Sequence, residues 1–123
     1  MYKFLNTNVT SVDFSDLEAL DAASACEGAF YACTLASVDF PKLTSIKGSK
    51  VLKLAFGRNL HLSSVSFGAL GDLGTRTDQF DDMLEGVTGC TVHFPSALES
   101  TMQSWTSVTD GFGGTNTTVL FDL

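Results

Sequence analysis

The chain alternates hydrophobic and polar residues around a short motif, Val-x-Phe, that occurs five times. The motif stands at residues 12–14, 38–40, 65–67, 92–94 and 119–121. Successive valines are separated by 26, 27, 27 and 27 residues. A fixed period of this length is typical of repeat proteins, in which each unit packs against its neighbours. The alternation within each motif predicts a short strand whose valine and phenylalanine point inward.

Other hydrophobic positions keep the same period. They lie three residues before the valine, five after it and eight after it, as in Leu35, Leu43 and Ile46 around Val38. Pro41 follows the second motif and Gly68 follows the third, and each marks a corner after the strand. The spacing of the later leucines predicts a second short strand or an extended arm.

The remainder of each unit has a helical spacing of hydrophobic residues. Val51, Leu54 and Ala55 fall at i, i+3 and i+4, and the series from Phe80 through Met83 and Leu84 continues to Val87. Between units, Ala29–Phe30 aligns with Ala55–Phe56, and Asp82–Met83 is the corresponding pair in the third unit. One unit is therefore predicted to run from strand to corner, arm and helix.

A unit of 27 residues cannot bury enough hydrophobic surface to offset its conformational entropy alone. The predicted fold class is an α/β solenoid of about three 26–27-residue units, with parallel strands stacked on one face. The predicted organisation is a lead-in, three repeats and a C-terminal capping unit, over residues 1–8, 9–34, 35–61, 62–91 and 92–123. In the cap, Ser96 and Glu99 form a predicted capping box.

The stretch GAFYACTLASVDFPKLTSI resembles the BspA-like leucine-rich repeats of bacterial surface proteins. The shared pattern is AF-x-x-C, L-x-x-V-x-(I/F)-P and L-x-x-I, and it is occupied by Ala29, Phe30, Cys33, Leu35, Val38, Phe40, Pro41, Leu43 and Ile46. The resemblance implies a right-handed β-α superhelix. It also implies a non-catalytic adhesion or interaction module of a bacterial or phage-associated surface protein, whose partner is a host or bacterial surface protein or a glycan.

Charge and composition restrict the partners. The net charge is −7 and the sequence pI is about 4.4, so nucleic-acid binding through a basic patch is not expected. No apolar run approaches the roughly 20 residues of a membrane span, so no membrane insertion is expected. The start of the chain lacks a signal peptide, and we expect the chain to be part of a longer cell-surface or secreted protein. The N-terminal edge strand, near Val9 to Phe14, is a candidate for self-association.

No catalytic, metal or cofactor site is expected from the sequence. His61 and His93 are isolated, and His93 is expected to be a solvated surface residue. Cys26 and Cys33 are interpreted as small buried thiols, with a disulfide between them as the alternative, and Cys90 has no partner nearby in sequence. Two ion sites remain as alternatives, the first to a solvated convex face and the second to a plain turn. One is a predicted helical face that carries Asp78, Asp81, Asp82 and Glu85, and the other is the loop over residues 109–116, which holds Asp110 and Asn116.

The candidate binding residues flank the inward-pointing valines and therefore point away from the core. They belong to two columns of outward positions: Ser11, Ser37, Ser64, Thr91 and Thr118 in one, and Asp13, Asp39, Ser66, His93 and Leu120 in the other. The candidate binding residues are the central members, Ser37, Ser64 and Thr91 in the first column and Asp39, Ser66 and His93 in the second. Extended faces of this kind are the surfaces that repeat proteins use for binding. The alternative hypothesis is a structural spacer or terminal cap of a longer repeat array, in which these columns have no ligand.

Overall fold

The structure of the chain is a computed structural model that describes residues 9–123. Four short strands form one sheet: β1 (Ser37–Asp39), β2 (Ser64–Ser66), β3 (Thr91–His93) and β4 (Thr118–Leu120). They are parallel and lie side by side in sequence order. The predicted lead-in over residues 1–8 lies outside the described residues. A four-stranded parallel sheet with few helices agrees with the α/β part of the predicted fold class.

The phenylalanines of the Val-x-Phe motif form a continuous stack inside the molecule. Ring centroids are 4.6 Å apart between Phe14 and Phe40 and 4.9 Å between Phe40 and Phe67. The stack continues at 5.1 Å to Phe94 and at 5.7 Å to Phe121. The central valines of β1, β2 and β3 are at most 2% exposed. The predicted inward direction of both motif residues is confirmed.

The first Val-x-Phe motif does not form the strand predicted for it. Residues 9–14 have no regular secondary structure, although the Val9 carbonyl accepts a hydrogen bond from the Thr34 N–H at 3.0 Å. The Asp13 carboxylate accepts the Ser15 N–H at 2.9 Å. The prediction of a strand is therefore wrong at the first motif, whereas the other four motifs each contain a strand.

The helices predicted over Val51–Ala55 and Phe80–Val87 are also wrong. These segments are series of turns, in which N–H groups alternate between a local acceptor and the next segment. The Ala55 N–H donates to the Leu52 carbonyl at 3.0 Å, and the following Phe56 N–H donates to the Met83 carbonyl at 3.1 Å. Alternation satisfies every second backbone donor through the neighbouring segment, which a helix would not do.

The backbone conformation explains why the sequence of these segments resembles that of a helix. Positive φ recurs at every fourth residue, at Ser24, Gly28 and Ala32, at Lys50, Leu54 and Arg58, and at Asp82 and Gly86. Buried pairs therefore recur with period four, as in 51–52 and 55–56. Over two turns a period of four cannot be told from the helical 3.6. The hydrogen bonds also align Ala55–Phe56 with Met83–Leu84, so the predicted Asp82–Met83 pair is shifted by one residue.

The predicted extended arm is present. Isolated parallel bridges join Ala19 to Ser45 and Ser45 to Asp72. Leu43 and Ile46 are fully buried beside this arm, with 0% exposure. The arm therefore repeats from segment to segment in the same way as the sheet.

The C-terminal part contains the few helices. They are a 3-10 helix (Ser96–Leu98), α1 (Glu99–Met102), α2 (Thr106–Thr109) and a 3-10 helix (Gly111–Gly113). The predicted capping box is wrong: Pro95 flanks the first helix, and no side chain caps it. The Ser96 N–H donates instead to the Leu123 carbonyl at 3.0 Å, which leaves the serine inside the helix rather than before it.

Candidate functional site

The six candidate residues lie in the strands β1, β2 and β3, where they flank the buried valines. The pairing places Ser37 opposite Ser64 and Ser64 opposite Thr91. In the second column, Asp39 lies opposite Ser66, and Ser66 lies opposite His93. All six are exposed or partly exposed, and the structure therefore brings them together on the outward face of the sheet.

The fourth strand extends both columns. Thr118 continues the first column and Leu120 the second. Neighbouring strands lie about 4.8 Å apart, so the four positions of a column span roughly 15 Å. Leu120 is 38% exposed and is the one large apolar side chain at the eight outward positions of β1 to β4. We call these eight positions the sheet face.

His93 lies beside the Asp122 carboxylate, a contact that sequence analysis did not predict. Its Nδ1 lies 3.0 Å from Oδ1 and 3.1 Å from Oδ2 of Asp122. The His93 side chain is 24% exposed, so it lies at the surface as expected, but it has a carboxylate partner as well as solvent. The pairing through Nδ1 orients the imidazole ring on the sheet face. A signal for it was present, because Asp122 lies two residues after Leu120 and so shares its face.

A cleft of about 320 Å³ brings together two residues that are distant in sequence, Cys33 and His61. Its other lining residues include Arg58 and Leu60, and Leu60 is 74% exposed. The Arg58 Nε donates a hydrogen bond to the Tyr31 hydroxyl at 2.8 Å. Cys33 is only 3% exposed, so almost none of its side chain is accessible from the cleft.

The cysteines are mainly core residues. No disulfide bond joins Cys26 and Cys33 within residues 9–123. Cys90 is completely buried, and burial raises the pKa of its thiol to about 11. A thiol with a pKa in this range is protonated at neutral pH and is a poor nucleophile.

The predicted acidic helical face does not exist, because its residues lie in turns and have different partners. Asp78 accepts hydrogen bonds from Nε and Nη2 of Arg76, both at 2.9 Å, and from the Ser49 hydroxyl at 3.0 Å. The Arg76 guanidinium holds the pKa of the Asp78 carboxyl well below its usual range. Glu85 instead faces Arg58, with an N–O distance of 3.9 Å.

A second cleft, of about 200 Å³, combines residues from both predicted ion sites. It is lined by Asp81, Asp82, Thr106, Ser107 and Asp110. Burial and the neighbouring carboxylates of Asp78, Asp82 and Asp110 raise the pKa of Asp81. Within residues 9–123, no group of three or more His, Cys, Asp or Glu side chains has a metal-binding arrangement. We call this site the acidic cleft.

Comparison of the chain with protein-family models, with curated proteins and with solved structures found no match. In the part of the chain that the structure describes, none of the helices has the length and apolar character needed to cross a membrane. Functional conclusions therefore rest on the residues and their geometry.

Proposed function

We propose that the chain is a leucine-rich-repeat solenoid that acts as a protein-interaction or adhesion module and binds through the sheet face. The observation that carries this proposal is the pair of registered polar columns on four parallel strands. The proposed partner is a surface protein or a glycan. In keeping with the BspA-like resemblance, the proposed location is the cell surface or the secreted fraction, within a longer protein.

The hydrogen bonds between segments support the solenoid part of the proposal. The Phe30 N–H donates to the Ala55 carbonyl at 3.0 Å, and the Phe67 N–H donates to the His93 carbonyl at 3.0 Å. Bonds of this type join residues that are about one period apart in the arm, the turns and the sheet. Stacking of this kind is what makes solenoids rigid enough to present an extended face.

The chemistry of the sheet face favours a polar partner. The hydroxyls of Ser37, Ser64 and Thr91 can each donate and accept hydrogen bonds. Asp39 adds a carboxylate, and His93 adds an imidazole oriented by Asp122. Hydroxyl, carboxylate and imidazole groups suit the hydroxyl-rich surface of a glycan or a polar protein loop better than a hydrophobic helix.

The proposal is tested by placing three lysines on the face, at Asp39, Ser66 and His93. The triple variant and the wild type are applied to an array of immobilised glycans and extracellular-matrix proteins. A matched control carries Glu99→Lys, Thr75→Lys and Gln103→Lys, three exposed positions outside the sheet with a similar change of charge. We expect the control to keep the wild-type signals and the face variant to lose them, at equal thermal stability.

A structural spacer is the second candidate, and the unbroken phenylalanine stack favours it. A segment in which five rings stack from Phe14 to Phe121 resists bending, as a spacer must. Equal array signals from the wild type and the face variant would overturn the binding proposal in favour of this one. In that case, deletion of the segment from its parent protein should be rescued by a linker of equal length.

A further inference from the structure

The acidic cleft is built by segments that are distant in sequence. Asp81 and Asp82 lie in the turns before β3, whereas Ser107 lies in α2 and Asp110 directly follows it. Asp82 is held against Gly113, since a Cβ on that glycine would lie 2.9 Å from Oδ1 of Asp82. The Asp110 carboxylate accepts the Gly113 N–H at 3.3 Å. The carboxylates of Asp82 and Asp110 therefore both lie close to Gly113.

The three carboxylates lack a countercharge at ion-pair distance. Within residues 9–123, Asp16, Asp21, Asp72 and Asp78 each pair with a lysine or arginine, but none of the three cleft aspartates does. Lys50 is close enough to favour the charged form of Asp81, yet burial and the neighbouring carboxylates outweigh it. A cation in the cleft would remove this electrostatic penalty.

A second, independent feature of the cleft is the hydroxyl of Ser107. Ser107 is 3% exposed and lines the cleft, and its Oγ is buried without a hydrogen-bond partner within residues 9–123. Buried hydroxyls are normally paired, because an unpaired one costs free energy. A donor from a ligand would satisfy this oxygen. The unpaired hydroxyl therefore points to an occupant that donates hydrogen bonds and carries positive charge.

The volume of the cleft and the spacing of its carboxylates indicate which kind of cation it can bind. Its carboxylates do not converge as ligands of one metal ion must, and its volume of about 200 Å³ exceeds that of a single ion. A guanidinium or ammonium group carries several N–H donors and reaches separate acceptors.

From these observations we propose that the acidic cleft is a second interaction site, which receives an arginine or lysine side chain of a protein partner. Asp81, Asp82 and Asp110 supply the charge, and Ser107 accepts an N–H bond. The net charge of −7 adds long-range attraction for a basic partner. The site uses none of the sheet-face residues, so its test is separate from that of the proposed function.

The test is a titration of the isotope-labelled protein with acetyl-arginine amide, followed by backbone amide NMR. Acetyl-lysine amide is the second probe, and acetyl-citrulline amide is the uncharged control of nearly the same shape. We expect shifts confined to residues near 81–82 and 106–113, with a Kd on the order of millimolar for the charged probes. The citrulline probe should give none. Equal shifts with citrulline, or shifts elsewhere, would overturn the proposal.

Three variants identify the residues involved. Asp81→Asn and Asp110→Asn should each weaken binding about tenfold. Ser107→Ala should raise the melting temperature, because it removes an unpaired buried hydroxyl, and still weaken binding about threefold. Asp16→Asn, which makes the same charge change at a side chain that is 96% exposed, should leave binding unchanged. If Asp16→Asn weakens binding as much as Asp81→Asn, the attraction is non-specific and the proposal fails.

Two further titrations separate the proposed occupant from its rivals. Ca²⁺ that gives the same shifts and displaces the arginine probe would make the cleft a metal site and overturn the proposal. Spermidine that binds more tightly than either amide would make a free polyamine the occupant, which overturns the assignment to a protein partner. Weaker binding by both supports the proposal.

Discussion

The rings of Phe40 and Phe67 lie 4.9 Å apart with their planes only 6° from parallel, and the two residues are one 27-residue step apart in the chain. Phe67 and Phe94 repeat this relationship at 5.1 Å and 5°. The sequence period thus becomes a column of identical side chains in contact. Each ring is buried by its neighbours in the column, so the segments depend on one another for stability.

Removal of a central ring should therefore cost far more than removal of a terminal one. Phe67 is 0% exposed and contacts Phe40, Phe80 and Phe94. We expect Phe67→Ala to lower the free energy of unfolding by about 3–5 kcal/mol. Phe14→Ala, at the partly buried end of the stack, should lower it by about 1–2 kcal/mol. Chemical denaturation measures both, and equal losses would contradict a stack in which neighbours on both sides matter.

The strands that sequence analysis predicted correctly rest on a period of two. Val38, Phe40 and their counterparts alternate strictly, and the strands β1 to β4 follow this alternation. The turns were missed because a run of hydrophobic pairs such as Val51–Leu52 and Ala55–Phe56 fits period four and period 3.6 equally well. The positive φ of Lys50 and Leu54 distinguishes the turns from a helix, and lysine and leucine carry no sequence signal for that conformation.

The turn and helix interpretations predict opposite effects of one glycine substitution on the free energy of unfolding. Lys50 is exposed and has a φ of +52°, a conformation that costs a side-chain-bearing residue about 1–2 kcal/mol and costs glycine almost nothing. Glycine also gains entropy in the unfolded chain, which offsets part of this gain. We expect Lys50→Gly to raise the free energy of unfolding by about 0.5–1 kcal/mol.

The matched control is Lys53→Gly, three residues later, where φ is not positive. It should lower the free energy of unfolding by about 1 kcal/mol, as glycine does in ordinary backbone conformations. Thermal or urea unfolding of the two variants decides the question. Destabilisation by both would indicate a helix and contradict the series of turns.

Asn59 forms a buried network at the end of one turn segment. It is 0% exposed; its Oδ1 accepts the Leu35 N–H at 3.0 Å, and its Nδ2 donates to the Phe30 carbonyl at 2.8 Å and the Phe56 carbonyl at 3.0 Å. Asn59→Ala would remove the partners of the Leu35 N–H and the Phe56 carbonyl, at a cost of about 1–3 kcal/mol each.

We expect Asn59→Ala to lower the free energy of unfolding by about 3 kcal/mol or more. Ser63→Ala is the control, since it removes an exposed hydroxyl bond to the Ala36 carbonyl and should change stability by about 0.5 kcal/mol at most. Urea denaturation compares the two. A small effect at Asn59 would mean that water replaces the amide in the variant.

Of the two candidate sites, the sheet face could be predicted from the sequence and the acidic cleft could not. Ser37, Asp39 and the other sheet-face residues followed from alternation alone, because a residue beside a buried valine must point outward. The acidic cleft could not be predicted, since Asp81 and Ser107 meet only after the chain has passed through β3. The unpaired hydroxyl of Ser107 is a property of packing, and no local pattern of residue types reports it.

The charged form of Asp78 should stabilise the fold and that of Asp81 should destabilise it. The two effects should also differ in their dependence on pH. The pKa of Asp78 is lowered by Arg76, so its charged form stabilises the fold; this contribution is complete above the unfolded pKa and is lost as pH falls through the folded one. The pKa of Asp81 is raised by burial, so its charged form destabilises the fold above the folded pKa. That penalty disappears as pH falls below the unfolded pKa.

At pH 7, Asp78→Asn should therefore lower the free energy of unfolding by about 1–2 kcal/mol, whereas Asp81→Asn should raise it. Towards pH 3 the effect of Asp81→Asn should vanish, because the carboxyl that it replaces is then neutral in both states. The effect of Asp78→Asn should persist to lower pH, since its native carboxyl stays charged there. Urea denaturation of both variants and the wild type between pH 2 and 7 measures these curves. If both variants shift stability in the same direction at pH 7, the carboxylates share one environment and the separation between the Arg76 pair and the acidic cleft is wrong.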